Sequence, residues 1–326
     1  MRGMLFLLFI SAVLTLIIGE IPFSEVGKSA LERLTGNSQA WNPLLDERLP
    51  RWIVLVCTGA SLAVSGAVMQ ALFQNPLASP SILGISCGGS LAIVLLFVSG
   101  LQNQYPYAIP LTAIGGCLFT LLILYMLTRH HVHTSIHQLI LTGLALSSLF
   151  LALQGTILYA LRDNWGLIQL ITEWEAGTTM DRNWQHVHMQ LPLTIVGLAG
   201  VLTLHREIDL LSLGDEAALN LGVEVAKVRW QLFFCISLLI GGALAAVGII
   251  AFFGLVLPHL IRLQTGSIHG KMLPGCILIG GAFLVLLDLG LRAFNLYALS
   301  LGNVSAILGG VFLIIFLRKS IHRAYA

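Results

Sequence analysis

Residues 230–263 read WQLFFCISLLIGGALAAVGIIAFFGLVLPHLIRL, an almost unbroken apolar stretch of 34 residues. A helix needs about 20 apolar residues to cross the hydrocarbon core of a bilayer, so this stretch is too long for one crossing. Gly241, Gly242, Gly248 and Gly254 offer places where the chain can turn. The stretch therefore predicts two consecutive transmembrane helices.

The same apolar character extends along the whole chain. Of its 326 residues, 57% are hydrophobic and 10% are charged, and the mean hydropathy is +0.90. A typical soluble domain carries about 25% charged residues, which excludes an ordinary soluble enzyme. No basic tract is interleaved with aromatic residues, so nucleic acid is not an expected partner. Runs bounded by charges, prolines or polar clusters predict ten spans, near residues 4–20, 52–73, 82–100, 107–128, 137–160, 190–205, 230–248, 249–265, 272–291 and 303–318.

The predicted fold is an all-α polytopic membrane protein with a single transmembrane domain over residues 1–326. Residues 1–19 are similar to a signal peptide, but no small-x-small cleavage site follows, and we expect a retained first span. Ten spans place both termini on one side. With the N-terminus inside, inner segments hold ten Lys and Arg residues and outer segments seven, which favours cytoplasmic termini. The two long outer segments would be 21–51 and 161–190.

The predicted spans offer little catalytic or ion-coupling chemistry. Gly27, Lys28 and Ser29 look like the end of a phosphate-binding loop, but the glycine that this loop requires five residues earlier is Pro22. We therefore expect no ATPase site in this chain. A proton relay is costly in lipid and needs several ionisable groups. Asp288 is the exception in the spans, and a local ion pair with Arg292, which snorkels near a helix end, is the simpler interpretation.

Histidines and cysteines do not form a recognisable metal site. His130, His131, His133 and His137 cluster in a short inner loop, without Cys, Asp or Glu nearby to complete a ligand set. The five cysteines show no CxxC spacing and lie in or beside apolar runs. We expect no metal and no cofactor bound by this chain.

The most informative polar segment is the inner segment 205–229. Leu213 and Gly214 predict a turn, Asp215 can cap a following helix, and Gly222 is placed to end it after about two turns. Such a helix between two spans is either a rigid handle for a cytoplasmic partner or an ordinary interfacial loop helix. These physical arguments leave both alternatives open.

Several ordered motifs carry a family resemblance. Residues 48–51 read RLPR, residues 65–70 read SGAVMQ, and NPLA and LG follow at 75–78 and 83–84. Residues 213–222 read LGDEAALNLG, residues 254–262 read GLVLPHLIR, and Asp288 and Arg292 complete the set. Together they resemble the bacterial ABC-type permeases that import cobalamin, ferric siderophores and haem.

The resemblance implies an assembly in the bacterial inner membrane. It implies a homodimer around a central path, two cytoplasmic ATPase subunits that bind ATP and Mg²⁺, and a periplasmic or lipid-anchored substrate-binding protein. It implies roles for three groups of residues. These are Arg48, Arg51 and Arg292 in docking the binding protein; Asn75, Leu77, Thr134 and Ser135 at the inner gate; and Leu213, Gly214, Asp215, Glu216, Ala217, Leu221 and Gly222 in coupling to the ATPase.

The sequence departs from the family pattern near its last span. Where relatives usually show Glu-x-Pro-x-Gly, this chain has Ala298, Ser300 and Gly302, and Val311 replaces a usual proline. The cargo stays open between cobalamin, haem and ferric siderophores. The alternative from another class is a carrier that works alone, either passively or coupled to an ion gradient.

Overall fold

The structure is a computed structural model that describes residues 2–18, 31, 35, 41–105, 107–128, 136–180, 182–296 and 299–324. Over these residues the chain is helical, with short turns between the helices. The helices are α1 (Arg2–Ile17), α2 (Leu49–Leu72), α3 (Ile85–Ser99), α4 (Ala108–Thr128), α5 (Ile136–Ala160), α6 (Trp165–Glu175), α7 (Trp184–Thr203), α8 (His205–Leu211), α9 (Asp215–Asn220), α10 (Val225–Val247), α11 (Phe253–Thr265), α12 (His269–Ala293) and α13 (Leu301–Ala324).

The all-α membrane fold is confirmed, and about ten spans is an approximation. Ten of the helices follow the ten predicted segments in order, and the short α6, α8 and α9 lie between them. Among the described residues, six helices are long and apolar enough to cross a membrane. Three shorter apolar helices lie within α1, α3 and α13. The 13-residue α11 would extend only about 20 Å, less than the roughly 30 Å hydrocarbon core.

The long apolar stretch does divide into two helices, and the turn lies at Gly248. This residue follows the last residue of α10 and has a φ of +85°, a conformation that favours glycine. Gly241 and Gly242 lie inside α10, and Gly254 lies inside α11. Gly241 and Gly254 allow close helix packing instead, because a Cβ on either would overlap the backbone of a neighbouring helix.

A pair of helices, α2 and α12, packs with especially close contact in the bundle. They cross with backbones in contact, since a Cβ built on Gly59 would overlap the carbonyl of Gly280. Further along α2, Gly66 lies against the backbone of Gly254 in α11. In lipid no hydrophobic drive holds helices together, so this close approach provides much of the packing. From Val54 to Leu72, α2 is buried throughout, apart from Val56.

Candidate functional site

A cluster of charged side chains fills the end of the bundle where α2 begins and α12 ends. Arg51 Nη2 donates to Asp288 Oδ1 at 2.7 Å and to Thr179 Oγ1 at 2.9 Å, and Thr179 Oγ1 also donates to Asp288 Oδ1. Arg292 Nε lies 3.1 Å from Asp288 Oδ2. Asp288 is only 1% exposed, and Arg51 and Arg292 are 9% and 7% exposed.

The predicted pair between Asp288 and Arg292 is confirmed, but the predicted snorkelling is wrong. The carboxylate is buried because Arg51 and Thr179, from distant parts of the chain, cover it. A buried carboxylate requires such partners, since an unpaired charge in the interior is very costly. The predicted local pair is therefore part of a junction between three segments, which are α2, α12 and the segment that contains Thr179.

Arg48 joins the same end of the bundle. Its Nη1 donates to the carbonyls of Leu16 and Ile17, at 2.7 and 3.2 Å, where α1 ends. Arg292 Nη1 donates to the next carbonyl, that of Ile18, at 3.2 Å. The structure thus brings together all three arginines that the resemblance assigns to docking, although their side chains are buried rather than fully exposed.

The cluster has an excess of positive charge and spare donors. Arg51 and Arg292 bind one buried carboxylate, that of Asp288, and Arg48 lies at the same end of the bundle, with Glu47 near enough to act on Arg48 and Arg292. Arg51 Nε and Arg292 Nη2 are buried without a hydrogen-bond partner among the described residues. Such donors can bind a further carboxylate, but both atoms are enclosed, so a carboxylate from outside reaches them only if the surrounding segments move.

Asn75 and Leu77, two of the four predicted gate residues, lie just beyond the opposite end of α2. Asn75 is buried, and its Oδ1 accepts a 2.9 Å hydrogen bond from the backbone N–H of Leu77, which forms a tight turn. The turn follows Gln74, which has a φ of +47°. Near the same end, Arg262 Nη2 donates to Gln70 Oε1 at 3.0 Å, which joins α2 to α11.

Several predicted residues lie outside the described part of the chain. Neither Thr134 nor Ser135 of the predicted gate is described, so the structure places only the Asn75 and Leu77 half. The others are Pro22, Gly27, Lys28 and Ser29 of the phosphate-loop-like motif, His130, His131 and His133, and Ala298.

The predicted short helix is present as α9, with six residues, and we call it the handle after the role that the resemblance implies. Leu213, Leu219 and Leu221 are exposed around it. The expectation that Asp215 caps the helix is wrong. Gly214, with a φ of +109°, occupies the cap position, and the Asp215 carboxylate accepts instead from Arg229 Nη2, at 2.7 and 3.0 Å.

The end of helix α9 agrees with the prediction. Gly222 follows the helix with a φ of +86°, and the N–H of Val223 donates to the carbonyl of Ala218 at 3.0 Å. This is the usual way in which a left-handed glycine ends a helix. The Arg229 pair and this terminus fix α9 against the start of α10.

Two polar contacts were not foreseen from the sequence. Gln154 Nε2 of α5 donates to Ser90 Oγ of α3 at 2.7 Å, and this hydroxyl donates to Glu175 Oε1 of α6 at 3.1 Å. Burial raises the pKa of Glu175. In the second, Asp209 of α8 binds His269 at the start of α12. Because the partners are far apart in sequence, no local sequence pattern predicts these contacts. Only the presence of polar residues in apolar surroundings could have indicated that they have partners.

Comparison with known proteins identifies proteins similar to this chain. The profile of the FecCD transport family matches residues 4–319. The chain is 34% identical to the hemin transport system permease protein HmuU of Yersinia pestis, covering 98% of this chain and 96% of that protein. It is 36% identical to the vitamin B12 import system permease protein BtuC of Vibrio vulnificus, covering 97% and 93%.

A solved structure agrees over the whole bundle. It is described as an inward-facing conformation of a metal-chelate type ABC transporter. The TM-score is 0.81 at 28% sequence identity, and 98% of each chain is covered.

Proposed function

The chain belongs to the FecCD transport family, and from that premise we propose that it is the permease subunit of an ATP-driven importer for a metal chelate. The cargo class is cobalamin, haem or a ferric siderophore, because the relatives are named for haem and vitamin B12 and the solved structure for a metal chelate. The permease pairs with a second copy of itself in the bacterial inner membrane. Two ATPase subunits bind ATP and Mg²⁺, and a substrate-binding protein delivers the cargo.

The observation that carries this proposal is the placement of two different protein-facing features at opposite ends of one bundle. At one end, Arg48, Arg51 and Arg292 form a positively charged cluster, in which Arg51 Nε and Arg292 Nη2 are spare donors. At the other end, α9 presents exposed leucines from a short helix that is fixed by the pair of Asp215 and Arg229. The first suits acidic side chains of a binding protein, and the second suits a groove on an ATPase.

The two ends also have different roles in the proposed transport cycle. Charged contacts at the cluster set register and orientation more than affinity, as delivery and release of cargo require. ATP-driven closure of the ATPase subunits pushes α9, and the spans tilt between two packed arrangements. Asn75 and Leu77 then close or open the inner end of the path.

Replacing Gly222 by valine tests the role of the handle. A Cβ there meets nothing within 4 Å, so the substitution acts through the backbone, whose φ of +86° costs a non-glycine residue about 1–2 kcal/mol. We expect the complex to assemble and hydrolyse ATP, with uptake reduced about tenfold, a typical size for a lost coupling. Uptake and hydrolysis in proteoliposomes measure both.

Gly100 provides the matched control for this substitution. It also has a positive φ, +70°, and also has nothing within 4 Å of a Cβ, but it ends α3 far from the handle. Gly100→Val should leave uptake per ATP unchanged. Unchanged coupling in Gly222→Val, or equal uncoupling in both variants, would count against the handle.

The transport proposal itself is tested by uptake into proteoliposomes. The full complex, with its ATPase subunits and binding protein, is offered labelled cobalamin, haem and a ferric siderophore in parallel. We expect ATP-dependent accumulation of one of them. Failure to accumulate any of the three would contradict the proposed cargo class.

A further inference from the structure

Helix α12 connects the two ends of the bundle that the proposed function assigns to different partners. Its 25 residues span about 37 Å at 1.5 Å per residue. Its last turns carry Asp288 and Arg292 of the arginine cluster, and its first residue is His269. A displacement at one end of this helix therefore reaches the other end.

Helix α12 is locked to α2 along its length. In the middle, Gly59 and Gly280 bring the two backbones into contact, and Ala63 packs on Gly280. Near the outer end, Arg51 of α2 binds Asp288 of α12 at 2.7 Å. Helices joined by backbone contact and a buried ion pair cannot slide independently, because packed interiors shift between discrete arrangements. We call this unit, α2 with α12, the central pillar.

At the inner end, α8 packs against the pillar, and Asp209 provides the hydrogen bonds between them. Asp209 Oδ1 accepts two hydrogen bonds from His269, one from the backbone N–H at 2.9 Å and one from ring Nδ1 at 2.6 Å. The first occupies a helix-terminal N–H that has no partner within its own helix. The His269 ring is buried and also lies against the backbone of Ala67 in α2. The contact thus involves both helices of the pillar.

Helix α8 is connected to the handle by a short, hydrogen-bonded turn. Only residues 212–214 separate it from α9, and the backbone N–H groups of Leu213 and Gly214 bond back to Leu210 and Leu211. Ser212 Oγ closes the turn on the carbonyl of Asp209 at 2.6 Å. Movement of α9 is therefore carried to Asp209 without a flexible linker.

We propose that Asp209 and His269 form the mechanical joint between α8 and the central pillar. Movement of the handle, α9, passes through α8 and this joint to the pillar, and so to the arginine cluster. The inference rests on the proposed function and adds two positioning residues to it. Neither residue touches cargo or ATP. Without the joint, the handle can still follow the ATPase subunits, but the pillar no longer follows the handle.

The experiment measures uptake and ATP hydrolysis separately in the reconstituted full complex. The probes are labelled cobalamin, haem and a ferric siderophore, and the wild type selects which one is used. In Asp209→Ala and in His269→Ala we expect uptake to fall about tenfold, within the usual range of coupling between sites, while hydrolysis stays within about twofold. The double variant should lose no more than either single variant, since both remove the same joint.

Two further variants separate transmission from a structural role. Asp209→Asn keeps an oxygen that can accept both hydrogen bonds, so it should restore uptake per ATP. Arg206→Ala, at an exposed position on the same short helix, should leave both activities unchanged. If Asp209→Ala fails to assemble, Asp209→Glu, which keeps the charge but shifts it by one methylene, replaces it with the same expected loss of uptake.

The possible results separate failure of the proposed joint from failure of the proposed function. A wild-type complex without ATP-dependent uptake overturns the proposed function itself. A working wild type with unchanged uptake in the Asp209 and His269 variants overturns the joint alone. Uptake and hydrolysis that fall in equal proportion also overturn it, because they indicate loss of folded complex rather than lost transmission.

Discussion

Asp288→Ala is expected to reduce the free energy of unfolding by about 3–5 kcal/mol, the usual cost of breaking a buried ion pair on one side. The carboxylate is 1% exposed and accepts from Arg51 and Thr179, with Arg292 also against it. Its removal leaves two buried guanidinium groups without their counter-charge. Because the same carboxylate holds α2 to α12, the loss also loosens the central pillar.

The measurement for Asp288→Ala is the temperature at which the detergent-solubilised chain loses its monodisperse peak. Asp163→Ala is the matched control, since Asp163 also lies beside an arginine, at 4.0 Å from Arg162 Nε, but is 96% exposed. Exposed pairs contribute about 0–1 kcal/mol, so the control should melt like the wild type. If Asp288→Ala and Asp163→Ala melted at the same temperature, the cluster would not contribute to the stability of the fold.

Gly66→Ala is the second substitution for which we expect a large loss of stability, although it adds only one methyl group. A Cβ on Gly66 would overlap the carbonyl oxygen of Gly254 in α11, and the neighbouring atoms that it meets belong to the backbone. No side chain can rotate away, so α2 and α11 must separate. Overpacking of this kind costs about 1–3 kcal/mol or more.

Gly155→Ala is the matched control for the crossing. Gly155 lies inside α5, and a Cβ there meets nothing within 4 Å. The same chemical change should be neutral or slightly stabilising, because alanine is favoured over glycine in helices by about 1 kcal/mol. The two variants should therefore differ in sign when melting is compared in detergent. A Gly66→Ala chain as stable as Gly155→Ala would contradict the close crossing.

Much of the fold could be predicted from the sequence because lipid imposes a strong and local rule. Each crossing needs a long apolar run, and these runs can be counted without knowing what they contact. Residues 230–263 divide into α10 and α11 as their length requires. The predicted boundary between spans 230–248 and 249–265 coincides with the observed turn at Gly248, although four glycines were available.

The candidate site was only partly predictable, for a related reason. The pair of Asp288 and Arg292 follows from helical spacing, and the handle follows from its turn and glycine signals. Thr179 and Arg51 reach Asp288 from 109 and 237 residues away, and Asp209 reaches His269 across 60 residues. Contacts over such separations depend on how the helices pack, which no local pattern encodes.

The central claim is that this chain supplies the path through the membrane, while energy and cargo selection come from other subunits. The direct measurement compares proteoliposomes that contain the purified chain alone with proteoliposomes that contain the full complex. The chain alone should neither hydrolyse ATP nor accumulate the labelled cargo, with or without a proton or sodium gradient. The full complex should accumulate it when ATP is present on the side of the ATPase subunits. Accumulation against a concentration gradient by the chain alone would contradict the account.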